Sequence, residues 1–291
     1  MKKIKLIRLL FLLILVLELV GCSKTTHSTK GSNKQHFTRA YVVHATPTLY
    51  FHGALSNYHS EESLVKAAQS AGVTNSVIRA DVNADGKVKL VGTIPQNAVN
   101  PIVMVNYKNN LQIDFYKAGR YATNVVRALQ EKYGITKINM IGHSLGNMSI
   151  MYYMLENDTN SKLPRLQKQV DIAGHFDGVD YPGLIPELTQ PKGLKVINGK
   201  PNKMNKAYRE MLKLRQTYPR NQVNVLNIIG NDDGKQSDGV VKNVSSLSLG
   251  YLVQARAKSY QVLTYSGHNA EHGRLTFNSE VERDIINFLW Q

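Results

Sequence analysis

Cysteine is all but missing: the 291-residue chain has one, Cys22. That excludes an intramolecular disulfide, and with it any fold held together by cystines. The folded part must be stable through its core alone, and the chain is long enough to build one. Acidic residues are scarce, 21 against 36 Lys and Arg, which gives a formal net charge of +15 and a pI near 9.7. No repeat of fixed period is visible, so a solenoid is not expected. Beyond the first 20 residues no stretch is apolar enough to span a membrane, which takes about 20 apolar residues. What remains, 42% hydrophobic and 20% charged, is too apolar for disorder and ordinary for a globular domain.

The one long apolar run stands at the beginning. Lys2, Lys3, Lys5 and Arg8 precede Leu9 to Leu17, and Glu18 breaks the run. A basic start followed by a short apolar stretch is a secretory signal pattern, too short for a spanning helix. Leu19-Val20-Gly21-Cys22 resembles the lipobox of bacterial lipoproteins. That resemblance implies cleavage before Cys22 and a diacylglycerol on its thiol. Ser23 to about Thr38 is rich in Ser, Thr, Lys, Asn and Gly, and reads as a flexible tether. The expected organisation is a signal peptide over 1–21, a tether over 22–38 and a folded domain over 39–291. The expected location is the extracytoplasmic face of the cell membrane, through a lipid anchor. For an exported basic protein, anionic lipid or an anionic envelope polymer is a better partner than nucleic acid, and no nucleic-acid partner is expected.

Within the domain, strand-like and helix-like segments alternate. Thr48 to Phe51, Pro101 to Asn106, Lys137 to Ile141, Gln169 to Ala173, Val223 to Ile229 and Tyr260 to Tyr265 read as strands. Glu61 to Ala71, Leu145 to Leu155 and Val281 to Trp290 read as helices. Phe115, Ala118, Ala122, Val125, Val126, Leu129 and Tyr133 recur at helical spacing, and Gly134 ends that helix. Such alternation predicts a mostly parallel α/β sheet. Val77 to Val82 and Lys87 to Val91 flank Asn83-Ala84-Asp85-Gly86, a hairpin signal. Asp81, Asn83 and Asp85 imitate the start of a calcium loop, but its twelfth position is Gly92, where a bidentate Glu would be required. A hairpin without a metal is therefore expected.

The chemistry points to Gly142-His143-Ser144-Leu145-Gly146, set between a strand and a helix. That is the context of a nucleophile elbow, which exposes a serine hydroxyl at a helix N-terminus. A serine hydroxyl is too weakly acidic to attack alone and needs a base. In this arrangement chain order runs Ser, acid, His, which leaves His268 or His272 as the base. Asp232, Asp233 and Asp238 follow the strand over 223–229 and are candidates for the acid. The oxyanion of an acyl-transfer intermediate needs two convergent N–H donors. Leu145 N–H, beside the nucleophile, and Ala54 N–H, in the His52-Gly53-Ala54 loop, are expected to supply them. His52 precedes Ser144 in the chain, and that order argues against it as the base.

From about Thr46 to Trp290 the chain resembles a family of uncharacterised cell-surface α/β-hydrolases of Gram-positive bacteria. The resemblance rests on Phe51-His52-Gly53, Asn100-Pro101-Ile102, Gly142 to Gly146, Ser237-Asp238-Gly239-Val240-Val241, Ala270-Glu271-His272, Asn278 and Phe288-Leu289-Trp290. It implies Asp238 and His272 as the partners of Ser144. That family usually has Met after the nucleophile and Gly after the elbow, where this chain has Leu145 and Asn147. The expected fold is an α/β-hydrolase with a cap insertion at about 174–222. From Lys192 to Arg220 that insertion carries nine basic residues against Glu210 alone. The expected activity is a serine esterase working through an acyl-enzyme on a small-molecule or lipid ester, with no metal or organic cofactor. The competing expectation is a non-catalytic envelope-binding lipoprotein on the same scaffold.

Overall fold

The structure is a computed structural model that describes residues 46–291. The expected signal, Cys22 and the tether lie outside the described residues. Among the described residues no helix is long and apolar enough to cross a membrane.

Eight strands form one sheet. In chain order they are β1 (Thr48–Phe51), β2 (Val77–Val82), β3 (Val88–Val91), β4 (Ile102–Tyr107), β5 (Lys137–His143), β6 (Arg165–Ile172), β9 (Asn224–Asn231) and β10 (Ser259–Ser266); a separate hairpin supplies β7 (Val196–Ile197) and β8 (Lys200–Pro201). Across the sheet the order is β10-β9-β6-β5-β1-β4-β2-β3. All its pairs are parallel except β2 with β3. That antiparallel pair is the expected hairpin. Its Asn83 side chain accepts from the Asp85 and Lys87 N–H groups and shapes the turn. The Asp81 carboxylate is taken up by Arg79 and Asn106.

Both faces of the central strands are covered, as a parallel sheet requires. Alternate residues of β1 divide between two cores: Leu49 and Phe51 belong to one, Tyr50 to the other. The first core is closed by α2 (Phe115–Tyr133) and α3 (Gly146–Asn157), and the second by α1 (Glu62–Ser70) and α8 (Ser279–Trp290). The α2 helix starts on Asp114, whose side chain accepts from Lys117 N–H, and stops at Gly134 in the left-handed region, φ 66°. Its buried Val125, Val126 and Leu129 each contribute roughly 1.5–3 kcal/mol by leaving water.

Between β6 and β9 the chain makes the β7–β8 hairpin, α4 (Lys206–Met211) and α5 (Leu214–Thr217); α6 (Asn243–Leu247) and α7 (Leu249–Val253) follow β9. Asp177 stitches this connection from inside, its Oδ1 accepting from Asn205 N–H at 2.8 Å. Because β1, β5, β9 and β10 run parallel, the loops that leave them emerge at one end of the sheet. Ligand sites of open α/β sheets lie at that end.

Candidate active site

Strand β5 ends in a sharp turn. Ser144 sits at φ 51°, a left-handed conformation that a side chain other than Gly rarely adopts. The two flanking glycines have separate reasons to be there. A Cβ on Gly146 would stand 2.1 Å from the Phe51 carbonyl oxygen, and one on Gly142 would stand 2.7 Å from the Asn147 nitrogen. The strained turn is held from outside: Ser144 N–H donates to Ile172 O at 2.9 Å. The Asn147 side chain donates both to Ser144 O and to Ile172 O. Asn147 is fully buried, and its side chain braces the elbow from behind.

Ser144 Oγ lies 2.8 Å from His272 Nε2, and His272 Nδ1 lies 2.8 Å from Asp238 Oδ2. Chemistry sets the roles: the hydroxyl donates to Nε2, and Nδ1–H donates to the carboxylate. The other carboxylate oxygen, Oδ1, accepts from Val240 and Val241 N–H at 2.9 and 2.6 Å. His272 N–H also donates to the Asp238 carbonyl at 2.8 Å, so the two loops are joined through main chain as well. Of the residues left open by chain order, the structure brings together Ser144, Asp238 and His272. His268 is exposed and pairs with Glu271 at 3.0 Å, away from Ser144. Asp232 lies 3.8 Å from Lys235 Nζ, and Asp233 follows it in a short 3₁₀ turn.

The loop from His52 to Ala54 passes against Ser144. A Cβ on Gly53 would stand 3.3 Å from both Ser144 Cβ and His143 Nδ1. His52 is engaged elsewhere: Tyr107 N–H donates to its Nε2 at 3.1 Å, and its Nδ1–H donates to Gly53 O at 2.8 Å. A peptide unit is planar and trans, so a Gly53 carbonyl held by His52 sends the Ala54 N–H the opposite way. Burial pushes the His52 pKa down to about 4, consistent with a neutral ring that must accept at Nε2. His143 donates through Nε2 to the His272 carbonyl at 3.0 Å. Burial, then the nearby His272, pushes its pKa down to about 3.

Three supports were not singled out from the sequence. The His143 tie falls on a variable position of the motif, where nothing in the pattern asks for histidine. The His52 tie is long-range and leaves no local signal. Gly230 is the third: a Cβ there would stand 2.1 Å from Ala270 O and 2.8 Å from Asp238 Cβ. The loops that carry Asp238 and His272 therefore cross directly over this glycine, and a Gly closing the apolar run of β9 was the available sign.

A family model described as alpha/beta hydrolase of unknown function (DUF915) matches residues 35–291. The chain belongs to this family. Two solved structures share the fold of this α/β-hydrolase. The product of gene lin2722 of Listeria innocua is 23% identical over 84% of this chain and 93% of its own, with a TM-score of 0.74. A Lactobacillus plantarum protein called a cell surface hydrolase is 18% identical over 84% of this chain and 89% of its own, with a TM-score of 0.64. No curated protein matches this chain.

Proposed function

We propose that this α/β-hydrolase is an extracytoplasmic serine esterase. The single observation that carries the reading is the chain of two 2.8 Å hydrogen bonds, Ser144 to His272 to Asp238, ending on a serine held at positive φ. His272 Nε2 takes the hydroxyl proton as Ser144 Oγ attacks an ester carbonyl. Asp238 holds the ring in the tautomer that can accept, and stabilises the cation that forms. Leu145 and Ala54 N–H groups meet the tetrahedral oxyanion. The proton on His272 then leaves with the alcohol, and water hydrolyses the acyl-enzyme by the same steps in reverse roles. The segment 174–222 serves as a cap over this end of the sheet. The lipobox around Cys22 supports a lipid anchor, and the Lactobacillus plantarum relative's description as a cell surface hydrolase is in keeping with export.

One observation favours the competing reading, a binding lipoprotein on a hydrolase scaffold. Ser144 and His272 are only 8% and 7% exposed, so the entrance is narrow. A fluorophosphonate probe separates the two readings. Covalent labelling of the wild type, absent in Ser144→Ala, is expected of the esterase. An unlabelled but folded wild type, with no turnover of short activated esters, would leave only the binding reading.

A further inference from the structure

The β7–β8 hairpin concentrates positive charge; one of its ammonium groups, Lys200 Nζ, lies 5.9 Å from the centre of the Tyr251 ring. Val196 pairs with Pro201 and Ile197 with Lys200. The two residues of the turn, Asn198 and Gly199, both have positive φ, 50° and 77°. Such a turn matches the twist of a tight hairpin, so the tip is pre-shaped. Further down, Lys195 N–H donates to Asn202 Oδ1 at 2.7 Å and Asn202 N–H returns to Lys195 O at 2.9 Å. At the base Lys203 Nζ donates to Lys192 O at 2.6 Å. The hairpin thus gathers Lys192, Lys195, Lys200 and Lys203, all exposed. Among the described residues no carboxylate lies within ion-pair distance of any of the four. Their neighbour Lys206, by contrast, is paired with Glu187 at 2.7 Å. At the tip stands Ile197, 55% exposed, the most exposed large aliphatic side chain among the described residues.

We propose that this hairpin is a membrane-contacting finger that sets Ile197 into the headgroup region of an anionic bilayer while its four lysines meet the lipid phosphates. A soluble polyanion would satisfy the lysines but gives no reason for an isoleucine held out at the tip. An anionic plane with acyl chains beneath it satisfies both. Lysine stems suit that boundary, because they lie along apolar surface while the ammonium reaches the phosphates. Each lysine near an anionic surface contributes roughly fivefold in binding at low salt, and the attraction decays over about 8 Å at physiological ionic strength. The contact does not depend on the esterase reading. It gains from the expected anchor, since the 25 residues from Cys22 to Thr46 span at most roughly 90 Å and keep the domain near the bilayer. A weak patch then acts at high effective concentration.

The test uses the full chain carrying Cys22→Ser, so that a single introduced cysteine can be labelled with an environment-sensitive nitrobenzoxadiazole dye. Ile197→Cys reports the finger. Thr136→Cys, exposed just before the start of β5, is the control. With phosphatidylcholine vesicles containing about one-third phosphatidylglycerol, the finger label is expected to shift to the blue and brighten several-fold, more than the control label. The shift is expected to weaken in pure phosphatidylcholine or at high salt. Replacing Lys192, Lys195, Lys200 and Lys203 by Gln in the labelled protein should abolish it. An unchanged finger label on anionic vesicles would overturn the proposal. So would a response that survives the fourfold replacement, or one produced by soluble polyglutamate but not by vesicles.

Discussion

Asp238→Asn tests the site at its most constrained point. Asp238 Oδ1 accepts from two backbone N–H groups, Val240 and Val241, while Oδ2 accepts from His272 Nδ1. An asparagine placed there must turn its carbonyl oxygen toward the two N–H donors, because an amide NH₂ aimed at them would leave four donors without an acceptor. Its NH₂ then faces His272 Nδ1, which has to become the acceptor. The ring proton moves to Nε2, the atom that must receive the proton of Ser144. The nucleophile, the elbow and the oxyanion donors stay in place, but the base is in the wrong tautomer. A loss of about 10⁴-fold in kcat is expected, roughly 5 kcal/mol of transition-state stabilisation. Stability should fall by only about 1–3 kcal/mol, the weakening of charge-assisted bonds to neutral ones. The assay is steady-state hydrolysis of a p-nitrophenyl ester, with a thermal melt as the folding control. A folded variant that keeps more than about a tenth of wild-type kcat would refute the tautomer argument.

Three other outcomes follow from particular contacts. Gly146→Ala forces a Cβ to within 2.1 Å of Phe51 O and 2.9 Å of His52 O, both backbone, so a loss of at least about 3 kcal/mol is expected in urea unfolding; an unchanged midpoint would contradict the packing described. Cys22→Ser is expected to release the protein from the membrane fraction or to block its processing. A variant processed normally and still tightly membrane-bound would remove Cys22 as the lipid site. Burial raises the Glu61 pKa from 4.5 to about 8, so the folded chain binds a proton there that the unfolded chain releases above 4.5. Its stabilisation is complete below about pH 4 and is lost as pH rises through 8, and Glu61→Gln should flatten the decline in urea midpoint between pH 5 and 8.

Much of the fold was legible because its strands are short and buried and its helices are capped by residues with one purpose. The α2 helix ran over Phe115–Tyr133 as its spacing indicated, and Gly134 closed it in the left-handed region. The strand ends moved by a few residues: β6 begins at Arg165 where Gln169 was expected, since Arg165, Gln167 and Lys168 at its start are polar and exposed or only partly buried. The segment after β6 was the least legible. Its hairpin and the short α4 to α7 are fixed by long-range bonds, such as Tyr208 OH to Ser248 O, and no local period announces them. At the site, motif spacing located Ser144, while chain order left His268 beside His272 and Asp232 and Asp233 beside Asp238. The resemblance favoured one set, and the geometry brings that set together. Two backbone N–H groups hold Asp238, while Asp232 faces Lys235 at 3.8 Å.

The histidines around Ser144 show why the sequence left more than one reading of them. His52, His143, His175 and His272 are all buried, and as residue types they are interchangeable candidates for a base. Their surroundings separate them. Burial pushes His52 and His175 down to about 4 and His143 down to about 3, so each is neutral near pH 7. His52 spends its two nitrogens on Tyr107 N–H and Gly53 O, and His143 spends one on the His272 carbonyl. Among these four, only His272 has Ser144 Oγ on one nitrogen and a carboxylate on the other. In the proposed step its ring gains the serine proton; the three neutral neighbours then add no positive charge against it, and the Asp238 carboxylate is there to balance the cation. A charged His143, with its ring 5.0 Å from that of His272, would oppose the same step. In the proposed mechanism, burial of these three rings is thus part of what would let the fourth act as a base.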